Sequence, residues 1–367
     1  MNAPLPASAI ADLEWPTDDT EAVATCPVCA SASRHRLHEG LRDITFQSAP
    51  GAWTLVDCDD CGCAYLERRP TPATIGRAYA TYYTHEGAAA ATPQPAGASV
   101  GNLRKALANG YRNQVYGSRL RPSLGVLGTL ASKLSPSARG RVEREAPGLL
   151  GVRPPRPGES RLLDIGSGSG RLLKLARSAG WVAMGVEPDP SAAAVAREGG
   201  IEIVAADVGE LPAAMDGSID RIMLSHVIEH VYDPGALLRH CRRLLKPDGV
   251  LWLETPNLDS AGHDVFGADW RGLEPPRHLV LFRRRGLTPL LRAAGFSRIS
   301  HCAPRDMAHT LFAISARIRV GRETGTRTLG DLSADARASV DAAARQAQAV
   351  VCLDPERAEY ITLEARP

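Results

Sequence analysis

Residues 161–180 read RLLDIGSGSGRLLKLARSAG, an apolar run that enters a glycine-rich turn and leaves it directly with helical periodicity. Leu162, Leu163 and Ile165 have the continuous apolar character of a parallel strand buried on both faces. Leu172, Leu173, Leu175 and Ala176 recur at helical spacing and form the sheet-facing stripe of a helix. Between them lie Gly166, Gly168 and Gly170, where any Cβ would block close approach of the backbone to a ligand. A strand, a glycine turn and a helix in that order commit the region to an α/β sheet with a nucleotide-cofactor pocket at the strand end. The spacing narrows the nucleotide: a dinucleotide fingerprint G-x-G-x-x-G requires glycine at position 171, where this chain has Arg171.

The segments that follow repeat the alternation, which implies a parallel sheet covered by helices on both faces. WVAMGVEPDP supplies a second strand ending in Glu187, and an acid at that place can accept both hydroxyls of a ribose. IEIVAAD supplies a third, ending in Asp207, which is equally suited to capping the next turn. SIDRIMLS is a fourth, with Ile219, Ile222, Met223 and Leu224 buried before the chain leaves the sheet at Ser225. A helix stopped by a K-P-D-G turn precedes the fifth, VLWLE.

Cysteines mark a different module. Cys26 and Cys29 form C-P-V-C, and Cys58 and Cys61 form C-D-D-C-G. Two such knuckles can give four thiolates to one tetrahedral Zn²⁺, a filled site whose role is structural. Gly62 permits the tight turn that aims backbone N–H groups at sulfur. Cys63 is a spare that can replace Cys58 or Cys61, and Cys241, Cys302 and Cys352 read as buried or free thiols.

With 43 basic and 41 acidic residues the net charge is +2, so no global field draws the chain to nucleic acid or to a membrane. The N-terminus has neither the basic n-region nor the apolar run of a secretory signal, which leads us to expect a cytoplasmic protein. We divide the chain into a zinc-ribbon module (1–69), a helical linker or cap (70–157) and a cofactor domain (158–367). In the second part, 70–85 is expected as a proline-initiated helix docked by Tyr79, Tyr82 and Tyr83, then a low-complexity linker, then two or three Arg-rich helices over 102–145.

Where the reacting group should lie, the chain presents His226, Glu229 and His230, which share one face if that segment is helical. A histidine there can act as general base, or the imidazoles and carboxylate can hold a divalent metal, or the group can merely shape the loop. The long insert 257–285 reads as a substrate lid. It carries His263, Asp264, Phe266, Trp270, Arg271, Arg277 and His278. Its ring and guanidinium groups suit stacking on a sugar and pairing with phosphate, and equally suit a structural clamp that satisfies loop carbonyls.

Asp164 followed by G-x-G-x-G, with Glu187, Asp207 and K-P-D-G downstream, resembles the class I S-adenosylmethionine (SAM)-dependent methyltransferases. The resemblance implies a Rossmann-like seven-stranded sheet with EYITLEA as an antiparallel last strand. It implies a SAM site of Asp164, Gly166, Ser167, Gly168, Gly170, Glu187 and Ser225, with Asp207 on the adenine amino group and Val208 packed on the ring. The E-H pair before D-P is similar to the ubiquinone-pathway O-methyltransferases, where an E-x-x-E-H run is associated with metal; His226 stands here in place of the first Glu. FGADWRGLEPPRHLVLF resembles a segment of zinc-ribbon-bearing methyltransferases of bacterial polysaccharide and secondary-metabolite clusters. Together these imply O-methylation of a sugar, nucleotide sugar or related small molecule, with His230, His226, Glu229 and His278 as candidate catalytic residues. C-methylation of a nucleotide sugar, methylation of RNA and a non-catalytic SAM-binding scaffold are the alternatives.

Overall fold

The computed structural model describes residues 14–80, 99–325 and 329–367. Tyr82, Tyr83 and most of the expected linker lie outside the described residues. The N-terminal part supplies β1 (Thr20–Ala22), β2 (Arg34–Leu41), β3 (Trp53–Cys58), β4 (Ala64–Leu66) and β5 (Arg68–Pro70). The glycine-rich region supplies β6 (Arg161–Ile165), β7 (Val182–Val186), β8 (Glu202–Ala205), β9 (Ile219–Ser225) and β10 (Leu245–Pro256). After it come β11 (Val280–Leu281), β12 (Arg298–His301) and β13 (Tyr360–Arg366).

A seven-stranded sheet has the order β12-β13-β10-β9-β6-β7-β8. β6 lies parallel to both β7 and β9, and β7 is parallel to β8. β13 runs the other way. Glu254 meets Thr362, Asn257 meets Glu359 and Asp248 meets Arg366, so one strand descends as the other climbs. The final strand is therefore antiparallel, as expected of EYITLEA. K-P-D-G is a point of difference: the helix Pro234–Leu244 passes straight into β10, and Lys246–Gly249 belong to the extended run. Pro247 still stops the helix, and Gly249 lets the strand lie close to the carbonyl of Ile219, 3.0 Å from where a Cβ would sit.

The chain forms two compact units. One comprises the described residues of 83–225 and 240–252, with 366–367. Its core is the apolar run of the central strands: Leu162, Leu163, Ile219, Ile222, Met223 and Leu224 are completely buried. Leu173, Leu175 and Ala176 of the helix Arg171–Ser178 cover them, as the periodicity required. The helix Pro190–Glu198 starts on Asp189, whose side chain accepts from the N–H of Ser191. Three helices precede the sheet, Ser99–Tyr116, Gly125–Leu134 and Pro136–Glu143. The first two cross closely through Gly110 and Gly128, where a Cβ would fall 2.2 Å and 2.3 Å from backbone carbonyl oxygens.

The other unit gathers the described residues of 1–82, 226–239 and 253–365. Its four-stranded sheet has the order β11-β4-β3-β2. β11 comes from the insert 257–285, expected as a lid. That insert is well-built structure instead: a helix (Ala261–Phe266), two 3₁₀ turns and β11, with every residue from Gly272 to Phe282 buried. The apolar run HLVLF needs a sheet to bury its side chains, and β4 provides the pairing edge. The helix expected over 70–85 is, as far as it is described, a 3₁₀ turn, Ile75–Tyr79. Among the described residues no helix is long and apolar enough to cross a membrane.

Candidate active site and zinc centre

At the end of β6 the chain turns on Gly166, Gly168 and Gly170, all at positive φ (72°, 52° and 74°). The N–H groups of Gly166 and Ser167 bond the carbonyl of Val186 at the end of β7, which folds the turn over the neighbouring strand. Glu187, one residue on, is almost fully buried. One of its oxygens accepts from Gly168 N–H at 2.6 Å and the other from Asp189 N–H at 2.9 Å. Burial raises its pKa. Asp164, also buried, is pushed up to about 8 by desolvation and then by the Glu187 charge. Two desolvated carboxyl groups thus lie beside the turn, and Asp164, at about 8, is largely protonated at neutral pH. The Ser167 hydroxyl is buried with no hydrogen-bond partner among the described residues, and the Cβ position of Gly168 faces open space. The Glu187 carboxyl group, the unpartnered Ser167 hydroxyl and the open space at Gly168 suit a ligand carrying an ammonium group and ribose hydroxyls, so SAM fits the loop.

The structure places Asp207 differently from the other acids. It is exposed and N-caps the 3₁₀ turn Val208–Glu210, accepting from Gly209 N–H at 2.7 Å, while the Glu210 side chain returns to the N-cap N–H. The capping alternative thus holds for at least one of its oxygens. Val208 is buried.

β9 ends at Ser225, and the chain continues into His226 at φ +55°, a strained conformation for a residue with a Cβ. The segment is not the α-helix that would put His226, Glu229 and His230 on one face, but a 3₁₀ turn, Ile228–His230. The trio is consequently split. His226 Nδ1 lies 3.2 Å from Glu229 Oε1 and its Nε2 3.5 Å from Glu254 Oε1, with both carboxylates fully buried. Burial alone would lower the imidazole pKa, but the two carboxylates outweigh it and raise it to about 10. The raised pKa favours His226 as the cation between two buried anions over a general base. Glu254 is further bonded by Arg305 and by the Thr362 hydroxyl. Thr255 donates to Glu229, whose pKa is lowered to about 2: burial opposes this, and His226 overcomes it.

His230 turns to the insert. Its Nδ1 is 3.0 Å from the carbonyl oxygen of Arg277 and 2.9 Å from the Tyr79 hydroxyl. A carbonyl can only accept, so Nδ1 is the nitrogen that carries the proton in this contact, and Nε2 is the position of the lone pair in the neutral ring. His278 repeats the arrangement, with Nδ1 2.7 Å from the carbonyl of Gly272 and the ring T-stacked on His230 at 4.8 Å. Desolvation lowers its pKa to about 4, so it is neutral. Donor atoms of Glu229, His230 and His278 lie within 4.8 Å of one another. Two imidazoles oriented by their far nitrogens, plus one carboxylate, are a donor set suited to a divalent cation.

Arg277, offered by the sequence as a phosphate fork or a clamp, is a clamp. It is completely buried and donates to both oxygens of Asp43, to Glu274, to the Ser48 hydroxyl and, at 2.7 Å, to the carbonyl of Ala78. Its guanidinium lies over the Phe46 ring. Trp270 is likewise spoken for, its indole N–H donating to buried Glu359 at 2.9 Å. The circuit closes on His230: Arg277 holds Ala78, the next residue is Tyr79, and both the Tyr79 hydroxyl and the Arg277 carbonyl meet His230 Nδ1. Tyr79 and Glu254 were not among the catalytic candidates. Glu254 carries a signal, an acid at a strand end in LWLETPN; Tyr79 carries none that singles it out from Tyr82 or Tyr83.

In the same unit Cys26, Cys29, Cys58 and Cys61 bring their sulfurs within 4.8 Å of one another, with Cys26–Cys61 at 3.6 Å and Cys29–Cys58 at 3.5 Å. Tetrahedral Zn–S bonds of about 2.3 Å put sulfurs about 3.8 Å apart, so the cluster is compatible with structural zinc. Each knuckle closes on a residue at positive φ, Ala30 or Gly62, whose N–H bonds the carbonyl of the first cysteine. Val28 and Cys63 aim their N–H groups at Cys26 and Cys61 sulfur. Cys63 itself is buried outside the cluster, its sulfur against Gly286.

Residues 131–301 match a family described as a methyltransferase domain. The ubiquinone biosynthesis O-methyltransferase of Xanthomonas oryzae pv. oryzae (strain PXO99A) is 36% identical over 126 residues, which is 32% of this chain and 53% of that protein. That of Xanthomonas axonopodis pv. citri (strain 306) is 34% identical over 122 residues, 31% and 51% of the two chains. The chain thus spans about half the length of the curated relatives it matches. Among solved structures, a SAM-dependent methyltransferase from Archaeoglobus fulgidus aligns with 57% of this chain and 87% of its own at 20% identity and a TM-score of 0.39. Haemonchus contortus phosphoethanolamine N-methyltransferase 2 in complex with SAM covers 63% and 52% at 18% identity and a TM-score of 0.38. With the glycine loop, the acid at the end of β7 and the strand order already described, the family match establishes that this chain carries a class I SAM-dependent methyltransferase domain.

Proposed function

We propose that this chain transfers the sulfonium methyl group of SAM to an oxygen of a small hydroxylated acceptor, a sugar, nucleotide sugar or related biosynthetic intermediate. The supporting observation is the 3.0 Å contact of His230 Nδ1 with the Arg277 carbonyl: with Nδ1–H held there, Nε2 of the neutral, half-buried ring is a base of fixed direction. The acceptor oxygen bonds the methyl carbon as the carbon–sulfur bond breaks, its electron pair stays on sulfur, and the hydroxyl proton passes to Nε2. Glu187 and Asp164 take the donor groups of SAM. His278, neutral and oriented, accepts a second acceptor hydroxyl.

A second reading rests on the same three donors. Glu229, His230 and His278 would hold a divalent cation, which when bound acidifies a coordinated hydroxyl. We infer a cytoplasmic setting, where thiols stay reduced for zinc, and keep 158–367 as the cofactor domain with 1–69 as its zinc module.

The test is production of S-adenosylhomocysteine from SAM with a panel of nucleotide sugars and catechols, for wild type, His230→Ala and His278→Ala, before and after a divalent-metal chelator. Turnover that His230→Ala abolishes and chelation spares supports the base. Turnover lost on chelation, with zinc retained at the cysteines and activity restored by Mg²⁺ or Mn²⁺, supports the cation. Full activity in both variants refutes the site.

A further inference from the structure

The helix Gly125–Leu134 is inside out. Its small residues Gly128 and Ser132 are buried against the helix Ser99–Tyr116, and its large aliphatic residues face solvent. Val126 is 85% exposed and Leu134 79%, and Leu127 and Leu130 are more than half exposed. Positions 126, 127, 130 and 134 recur at the spacing of one helical stripe. Leu103 of the preceding helix is also half exposed. A soluble surface rarely keeps so many aliphatic side chains together without a partner.

The charge of the flanking sequence indicates the partner. From residue 99 to residue 142 the chain has eight cationic side chains and no acidic one. Arg104, Lys105, Arg119, Arg121, Lys133, Arg139 and Arg141 are exposed. Lys133 lies within the stripe itself: with Val126, Leu130, Asn113 and Gln114 it lines a cavity of about 620 Å³. The whole-chain charge of +2 conceals this; the nearest acids that follow, Glu143 and Glu145, pair with Arg139 and Arg112 and leave the other six cations in excess.

We propose that this helical pair docks on a bilayer surface bearing anionic lipid headgroups, with the aliphatic stripe in the interface and the surrounding cations on phosphate. An aliphatic stripe rimmed by Lys and Arg is the pattern of a helix lying in a membrane interface. A second copy of this chain is a poor occupant, since it would set one cation-rich surface against another. Single-stranded nucleic acid is disfavoured because the exposed apolar residues are Leu and Val, with no aromatic platform on which bases would stack. The docking needs no membrane-spanning helix.

The experiment is co-flotation of the full-length protein with phosphatidylcholine vesicles, with and without a third of phosphatidylglycerol, at low and high salt. Binding to the anionic vesicles, weakened by salt and weak on pure phosphatidylcholine, is expected. Replacing a single cation, as in Lys133→Gln, should weaken it about fivefold. Leu130→Ser with Leu134→Ser should weaken it at least about tenfold. All three positions are exposed, and unchanged helical circular dichroism and unchanged SAM affinity check that the variants fold. The proposal is overturned if anionic vesicles do not bind, or if binding ignores both sets of variants. It is equally overturned if sedimentation shows a dimer that Leu130→Ser with Leu134→Ser dissociates, or if the protein binds RNA and not vesicles.

Discussion

Arg277→Met tests the insert most directly. The wild-type guanidinium, with no solvent exposure, neutralises Asp43 and Glu274 and donates to Ser48 and Ala78. Removing one partner of a buried ion pair costs about 3–5 kcal/mol, because the other charge stays buried and unpaired. Two features place this site at the lower end. Asp43 also accepts from the N–H groups of Phe46, Ser48 and Ala49, each at 3.1 Å. Glu274, held well below the usual carboxylate range against its burial chiefly by Arg271, would keep that partner. The expected loss is therefore about 3 kcal/mol. Trp15, Trp53 and Trp270 belong to the same compact unit, so tryptophan fluorescence during guanidinium unfolding reads it. Arg277→Lys, which keeps the charge without the fork, should fall between the two. An unchanged midpoint in Arg277→Met, accompanied by a large rise in acceptor KM, would mean that Arg277 binds phosphate and that the clamp is wrong.

Three further outcomes are expected. Tyr79→Phe removes one of the two partners of His230 Nδ1 and should lower kcat about fivefold, the worth of about 1 kcal/mol for a hydrogen bond, with KM for SAM unchanged; an unaltered kcat would show that Tyr79 does not position the ring. Glu187→Gln should weaken SAM binding by about 2 kcal/mol in titration calorimetry, through loss of charge-assisted bonds to ligand and loop; equal affinities would refute the ribose assignment. Cys26→Ser should reduce zinc from about one ion per chain to none by elemental analysis while SAM still binds, and a wild-type protein that carries no zinc when purified under reducing conditions refutes the cysteine site.

What could be read from the chain alone was local. The strand, turn and helix of 161–180 announce themselves because burial on two faces, positive φ and helical packing each leave a mark within a few residues. Cysteine spacing works the same way: each knuckle is a tight turn that must be contiguous. The role of Arg277 could not be read, because its partners Asp43 and Ser48 lie more than two hundred positions away and give no local sign of the pairing. The division of His226 from His230 was hidden for a different reason. Helical spacing supposes a helix, and a left-handed backbone at His226 followed by a 3₁₀ turn sends the two rings to different neighbours. Only tertiary structure decided which histidine lies between two buried carboxylates, with its pKa raised to about 10, and which turns to the carbonyl of Arg277, because a pKa belongs to the charges packed around a group and not to the residue itself.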